Sequence, residues 1–167
     1  MSRSLLVEEL LPYKKKYFIE TGTYAGGGIE IARICGFDKI ISIEIDDILY
    51  KAVSERYQDI PNIKILHGDS SIILQEVLKE INIPTVIFLD AHSEDYNPIF
   101  NELLVIGKHN IKTHTLLIDD LRVYNGVYWK ETIEDLINAV YKINTSYKIN
   151  YMDSVNAKGD ILVAWIP

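Results

Sequence analysis

Five times along this chain, a short and nearly unbroken apolar run gives way to a turn and then to a longer stretch with helical spacing. The runs are YFIET (17–21), KIISIEI (39–45), IKILHG (63–68), TVIFLD (85–90) and TLLIDD (115–120). Strands covered on both faces read this way, because neither side needs to present polar groups to water. The stretches between and after them are GGIEIARICG, DDILYKAVSERYQ, SSIILQEVLKEI, NPIFNELLVIGKH and KETIEDLINAVYKI. Asp46 or Asp47 is the expected N-cap of the second helix and Ser70 or Ser71 of the third. Asn97 is the expected cap of the fourth, with Pro98 at its first helical position. The end of the chain breaks the pattern. YKINYMD and DILVAWIP are strand-like, with no helix between them and Gly159 in the joining loop, which predicts an antiparallel hairpin. The whole predicts an α/β domain with a mostly parallel sheet.

With 167 residues, 48% of them hydrophobic, the chain is expected to form a single domain over residues 1–167. MSRSLLVEELLPYKKKY has acids inside its apolar part, which predicts a short N-terminal amphipathic helix over residues 1–16 rather than a signal peptide. The lone cysteine, Cys35, excludes an intrachain disulfide and falls in a helical stretch as a core residue. No apolar run reaches the roughly 20 residues that cross a bilayer, so a cytoplasmic protein without a membrane partner is expected. A net charge of −7 argues against a nucleic-acid partner.

Ligands of parallel sheets bind beyond the carboxyl ends of the strands. There the five runs carry Glu20, Glu44 with Asp46, Asp69, Asp90, and Asp119 with Asp120. Any one of these acids can be explained as a helix cap. Together on one rim they suit a cationic ligand or a metal, not a phosphate. The stretch FIETGTYAGG also lacks the dinucleotide pattern: Tyr24 stands where a second glycine would admit a pyrophosphate. S-adenosylmethionine has a sulfonium, an ammonium and no phosphate. Its ribose calls for an acid at the end of the second strand. Glu44 lies 22 residues beyond Gly22, near the spacing of about 20 expected for such an acid.

With these residues in place, the chain resembles the class I S-adenosylmethionine-dependent methyltransferases. FIETGTYAGG is similar to the family's first motif, SIEID to the second, HGDS to the third and FLDAH to the fourth. The resemblance implies a doubly wound seven-stranded sheet, helices on both faces and the last strand antiparallel beside the fifth. It implies a cofactor site of Glu20, Gly22, Thr23, Tyr24, Gly26, Glu44, Ile45, Asp69, Ser70 and Asp90. Within it, Glu20 faces the cationic methionine end or positions the loop, Glu44 holds the ribose and Asp69 meets the adenine amine.

FLDAH and LLIDD further resemble the metal-dependent small-molecule O-methyltransferases, which implies a magnesium ion (Mg2+) on Asp90, Asp119 and Asp120. The alternative is that Asp120 caps the following turn while Asp119 faces the cofactor. Those enzymes place a lysine base three residues after the aspartate; here that position is Ser93, and His92 is the nearest group able to serve. Asp90, His92 and Asp119 are thus the expected catalytic residues.

The expected reaction is methyl transfer to a small-molecule acceptor, with a hydroxyl as the expected target and a catalytically inactive binding protein of the same fold as the alternative. No segment is inserted for acceptor recognition. The chain's own loops, its N-terminal helix or a second subunit, as in a homodimer, would supply it. Residues 93–98 and the aromatics Tyr124, Tyr128 and Trp129 are the candidate walls, although the aromatics fit equally well as packing for the loop. His67 is expected beside the cofactor, and His109 and His114 at the far end of the sheet in structural roles.

Overall fold

Consecutive residues of the central strands enter two different cores, and this alternation decides where each helix lies. The structure, a computed structural model, describes residues 4–167. Its strands are β1 (Tyr17–Thr21), β2 (Lys39–Glu44), β3 (Ile63–His67), β4 (Val86–Leu89), β5 (Thr115–Ile118), β6 (Lys148–Met152) and β7 (Ile161–Trp165). The helices are α1 (Val7–Leu10), α2 (Gly27–Ile34), α3 (Asp47–Tyr57), α4 (Ser70–Lys79), α5 (Ile99–Lys108) and α6 (Ile133–Ile143). Phe18, Phe88, Leu117 and Val163 pack with Leu10, Ile29 and Val53, from α1, α2 and α3. Their neighbours Ile19, Ile87, Leu116 and Leu162 pack with Leu74, Leu103 and Leu136, from α4, α5 and α6. A strand's period of two therefore sorts the helices onto both faces.

The sheet order is β3-β2-β1-β4-β5-β7-β6. The first five strands run parallel, and β7 pairs antiparallel with both β5 and β6. The strand order reverses between β1 and β4, which is where a crevice opens in such sheets.

Three expectations shift. Asp69, not Ser70 or Ser71, caps α4, its carboxylate accepting from the Ser71 N–H at 2.8 Å. α5 begins at Ile99 with Pro98, not Asn97, as its cap residue, and Asn97 Oδ1 accepts from the Ile99 N–H at 3.2 Å. The N-terminal helix is shorter than expected: α1 has one turn and passes into a 3-10 turn at Leu11–Tyr13. Pro12 has no N–H to continue the helical ladder. Residues 1–3 of that expectation lie outside the described residues. Among the described residues, no helix is long and apolar enough to cross a membrane.

His109 and His114 form a stacked pair, with Nδ1 of the first 2.9 Å from Nε2 of the second. His114 Nδ1 also accepts from the Thr85 N–H. Burial, with the neighbouring His109, lowers the His114 pKa to about 4. The imidazole is a neutral connector between β4 and β5, as the expected structural role requires.

Candidate active site

At the end of β1 the chain must leave the sheet, turn under a ligand and enter α2. Gly22 and Gly26 allow this with φ of +82° and +79°. The Gly22 N–H donates to the Ile43 carbonyl at 3.0 Å, tying the loop to β2. A methyl group on Gly22 would meet the Asp90 carbonyl oxygen at 2.5 Å, so the loop also packs directly on the end of β4. Gly22→Ala combines left-handed strain with a backbone clash. It is expected to destabilise the fold by about 3 kcal/mol or more, and an unchanged urea midpoint would refute this.

Tyr24 occupies the left-handed region without being glycine, at φ +47°, the kind of strain that gathers at functional sites. Its N–H donates to Glu44 Oε2 at 2.7 Å, and the Asp46 N–H donates to Glu44 Oε1 at 2.8 Å. Glu44 thus fixes the loop with one lone pair per oxygen and keeps the others for a ligand. The Tyr24 ring stays exposed at the rim.

Glu20 lies at the cavity floor, 2% exposed. The Ser42 hydroxyl donates to Glu20 Oε2 at 2.6 Å, and Thr23 Oγ1 lies 2.6 Å from the same hydroxyl. A side chain on Gly28 would overlap Glu20 Oε1, so the carboxyl is wedged beneath α2. Burial first, then the charge of Glu44, raises its pKa to about 8 against the opposing Ser42 bond.

Asp69 is busier than expected. Its Oδ1 accepts from the Ser71 N–H and hydroxyl, and its Oδ2 from the Tyr96 hydroxyl at 2.9 Å. Burial opposes its charge, but Ser71 and Tyr96 outweigh burial and hold the pKa low. An adenine amine would share this carboxylate with Tyr96. Ser70 and Ile45 line the same cavity.

One cavity of about 750 Å3 joins these groups to Asp90, His92 and Asp120, a size suited to a ligand of cofactor dimensions. His92 Nε2 lies 2.7 Å from Asp120 Oδ2. Arg122 Nη1 forms an ion pair with Asp120 Oδ1 at 2.7 Å and a second with Asp160 Oδ2. Burial works against the Asp120 charge, yet His92 and Arg122 prevail and keep its pKa low. Asp120 is therefore an anion with φ +58°, held from both sides. It is the N-cap residue of the following 3-10 turn, without a side-chain cap bond.

Asp119 is 2% exposed, and among the described residues neither of its carboxylate oxygens has a hydrogen-bond partner. Burial and the Asp120 charge raise its pKa. Asp90 is raised as well, by burial and then by Asp119, Asp120 and Glu20. Two such carboxyls relieve their repulsion by retaining a proton or taking a cation.

Several site residues carry no motif. Arg122, Asn156 and Ser4 line the cavity and come from a turn, the hairpin loop and the N-terminal segment. Glu102 of α5 does not line the cavity; it is fully buried, and burial raises its pKa to about 7 against the hydroxyls of Ser70 and Thr21. In the sequence it is one acid in an amphipathic helix, so no local signal marks it. Of the candidate walls, Ser93, Tyr96 and Pro98 reach the cavity. Tyr124 and Trp129 instead pack on the core, and Tyr128 stacks edge-on against Trp129. His67 lies outside, stacked on Tyr50.

No protein-family model matches the chain, and no curated protein sequence matches it. Solved structures do match. An O-methyltransferase from Bacillus cereus in complex with SAH is 12% identical, with a TM-score of 0.65, over 96% of this chain and 78% of that one. TomG, an O-methyltransferase from Streptomyces achromogenes involved in tomaymycin synthesis and bound to SAM, is 11% identical, with a TM-score of 0.66, over 96% and 77%. Spermidine synthase from Thermotoga maritima is 14% identical, with a TM-score of 0.61, over 95% of this chain and 56% of that one. At such identities the likeness establishes the fold: this chain has the class I S-adenosylmethionine-dependent methyltransferase fold, as its motifs imply. The synthase among these neighbours shows that the fold alone does not fix the reaction.

Proposed function

We propose that this protein transfers a methyl group from S-adenosylmethionine to a hydroxyl of a small-molecule acceptor. The observation that carries the reading is one cavity holding both Glu44, braced by the Tyr24 and Asp46 N–H groups, and the His92–Asp120 pair. Glu44 would take the ribose hydroxyls, Ile45 the adenine face, and Glu20 the ammonium of the methionine end. The bound cofactor supplies an electrophilic methyl carbon on its sulfonium.

His92 carries the proton step. Asp120 is an anion and accepts only, so His92 Nε2 carries the hydrogen between them. Nδ1 is left with its lone pair and can take the acceptor's proton as the oxygen bonds to carbon. The geometry of this pair supports catalysis over an inactive binding role. The remaining contribution of the protein is alignment.

The cofactor reading makes a thermodynamic prediction. Glu20 is mostly protonated at pH 7, since its pKa stands at about 8. An ammonium beside it favours the anion, so binding releases a proton, and affinity rises with pH below that pKa by up to about tenfold per unit. Calorimetry with S-adenosylhomocysteine in two buffers of different ionisation enthalpy is expected to show this release at pH 7. Glu20→Gln removes it. Absence of binding to the wild type ends the cofactor assignment; binding without proton release ends the role given to Glu20.

A further inference from the structure

The acids at the ends of β4 and β5 match a metal-binding pattern in the sequence, but their surroundings do not leave that pattern free. A hard divalent cation needs carboxylate oxygens whose lone pairs point at it. Asp120 has one oxygen against the Arg122 guanidinium and the other against the His92 ring. Arg122 is fixed in place by more than this contact. Its backbone N–H donates to Asp160 Oδ1 at 3.1 Å, and its guanidinium meets Asp160 Oδ2. Asp160 is 2% exposed and also accepts from the Ser154 hydroxyl at 3.0 Å. The ligand atoms of Asp119, Asp120 and Asp160 lie within 4.8 Å of one another, as do those of Asp90, His92 and Asp120, and Arg122 pairs with Asp120, the member the two groups share. A guanidinium stays charged at any working pH. A divalent ion on Asp120 would therefore have to sit against a permanent positive charge, with only one lone pair on each oxygen left to it.

We infer that Arg122 is the resident cation of this site: it takes the place a divalent ion would need and, anchored by Asp160, holds Asp120 as the orienting partner of His92. Arg122 and Asp160 are thus positioning residues, acting on the acceptor through Asp120 and His92. The inference rests on the reading of His92 as base, and it extends that reading to a methyl transfer that needs no metal on Asp120.

The test uses the full chain with 15N-labelled histidine and Mn2+ as the probe, without cofactor or acceptor. His92→Gln identifies the His92 signals among the four histidines. In the wild type, long-range 1H–15N correlation is expected to show hydrogen on Nε2 alone. Equimolar Mn2+ is expected to leave those signals sharp. Arg122→Met frees the carboxylates, so Mn2+ affinity is expected to rise by roughly tenfold or more, given how strongly oxygen-ligand sites depend on uncompensated ligand charge. The His92 signals then broaden, and without Mn2+ the tautomer preference weakens. Arg122→Lys keeps a charge and is expected to restore Mn2+ exclusion. If Arg122→Met fails to fold because Asp160 is left buried and unpaired, Arg122→Met with Asp160→Asn relieves that charge and serves instead. Broadening of wild-type His92 by equimolar Mn2+ overturns the inference. So does a charge-free variant that behaves like the wild type in both tautomer and Mn2+ response. Calorimetry with S-adenosylhomocysteine on the same samples reports separately on the cofactor reading.

Discussion

Replacing His92 with glutamine is expected to lower turnover by roughly 10²–10⁴-fold, the contribution of a positioned general base. The acceptor would be any hydroxylated small molecule that a mass-spectrometric screen shows to be methylated. The effect should fall on turnover and leave S-adenosylhomocysteine affinity unchanged, because His92 stands beside Asp120 and away from the Glu44 cradle. Asp120→Asn separates the base from its orientation. An amide can turn its NH2 toward Nε2 and draw the ring into the other tautomer, placing the hydrogen on Nδ1, where the acceptor's proton must go. That variant should lose rate as well, with no new acceptor preference. Turnover of His92→Gln within about threefold of wild type would show that no base of this kind is used. The acceptor would then be one that reacts without losing a proton in the rate-limiting step.

The fold was legible in the sequence because its signal is local. Each parallel strand is a short β-branched run with a helical stretch after it, and the doubly wound seven-stranded arrangement is what the family resemblance implies. What failed was also local, where several residues competed for one role. GDSS offers three potential caps in a row, and Asp69 wins with its extended backbone at ψ 122°. The helix expected over residues 1–16 is limited by Pro12, among the described residues, to two short turns.

At the site, position and partnership separate. That Glu20, Glu44, Asp69, Asp90, Asp119 and Asp120 gather at one end of the sheet follows from topology alone. Which of them are free does not, because their partners arrive from far along the chain. Ser42 reaches Glu20 across 22 positions, Tyr96 reaches Asp69 across 27, and Asp160 reaches Arg122 across 38. Arg122 lay in plain view two residues after Asp120, but its direction depends on the left-handed turn at Asp120 and on a carboxylate from the hairpin. The aromatics after β5 left two readings open, pocket wall or loop packing, and two of them take the second. Tyr124 and Trp129 look like pocket walls by composition, but the apolar surface nearest to them is the core.

Glu44→Ala is expected to weaken S-adenosylhomocysteine binding by roughly 10²–10⁴-fold, from two hydrogen bonds to a charged acceptor at about 1.5–3 kcal/mol each. Two effects are mixed in that figure. The carboxylate would hold the ribose, and it also holds the Tyr24 and Asp46 N–H groups, so its loss loosens the strained loop as well. A double-mutant cycle separates them, with the 2′-deoxyribose analogue of the ligand as the second change. If Glu44 receives the ribose hydroxyls, the wild type prefers the hydroxylated ligand and Glu44→Ala loses most of that preference. If Glu44 only braces the loop, both ligands weaken equally in the variant, and the preference survives intact. Glu44→Gln sharpens the distinction. Its amide oxygen can accept from one backbone N–H, but the other position then presents a donor to a donor. Loop and ribose contacts are each half kept, so affinity should fall between wild type and alanine. Equal wild-type affinity for the two ligands would remove Glu44 from the ribose and leave it a structural residue of the loop.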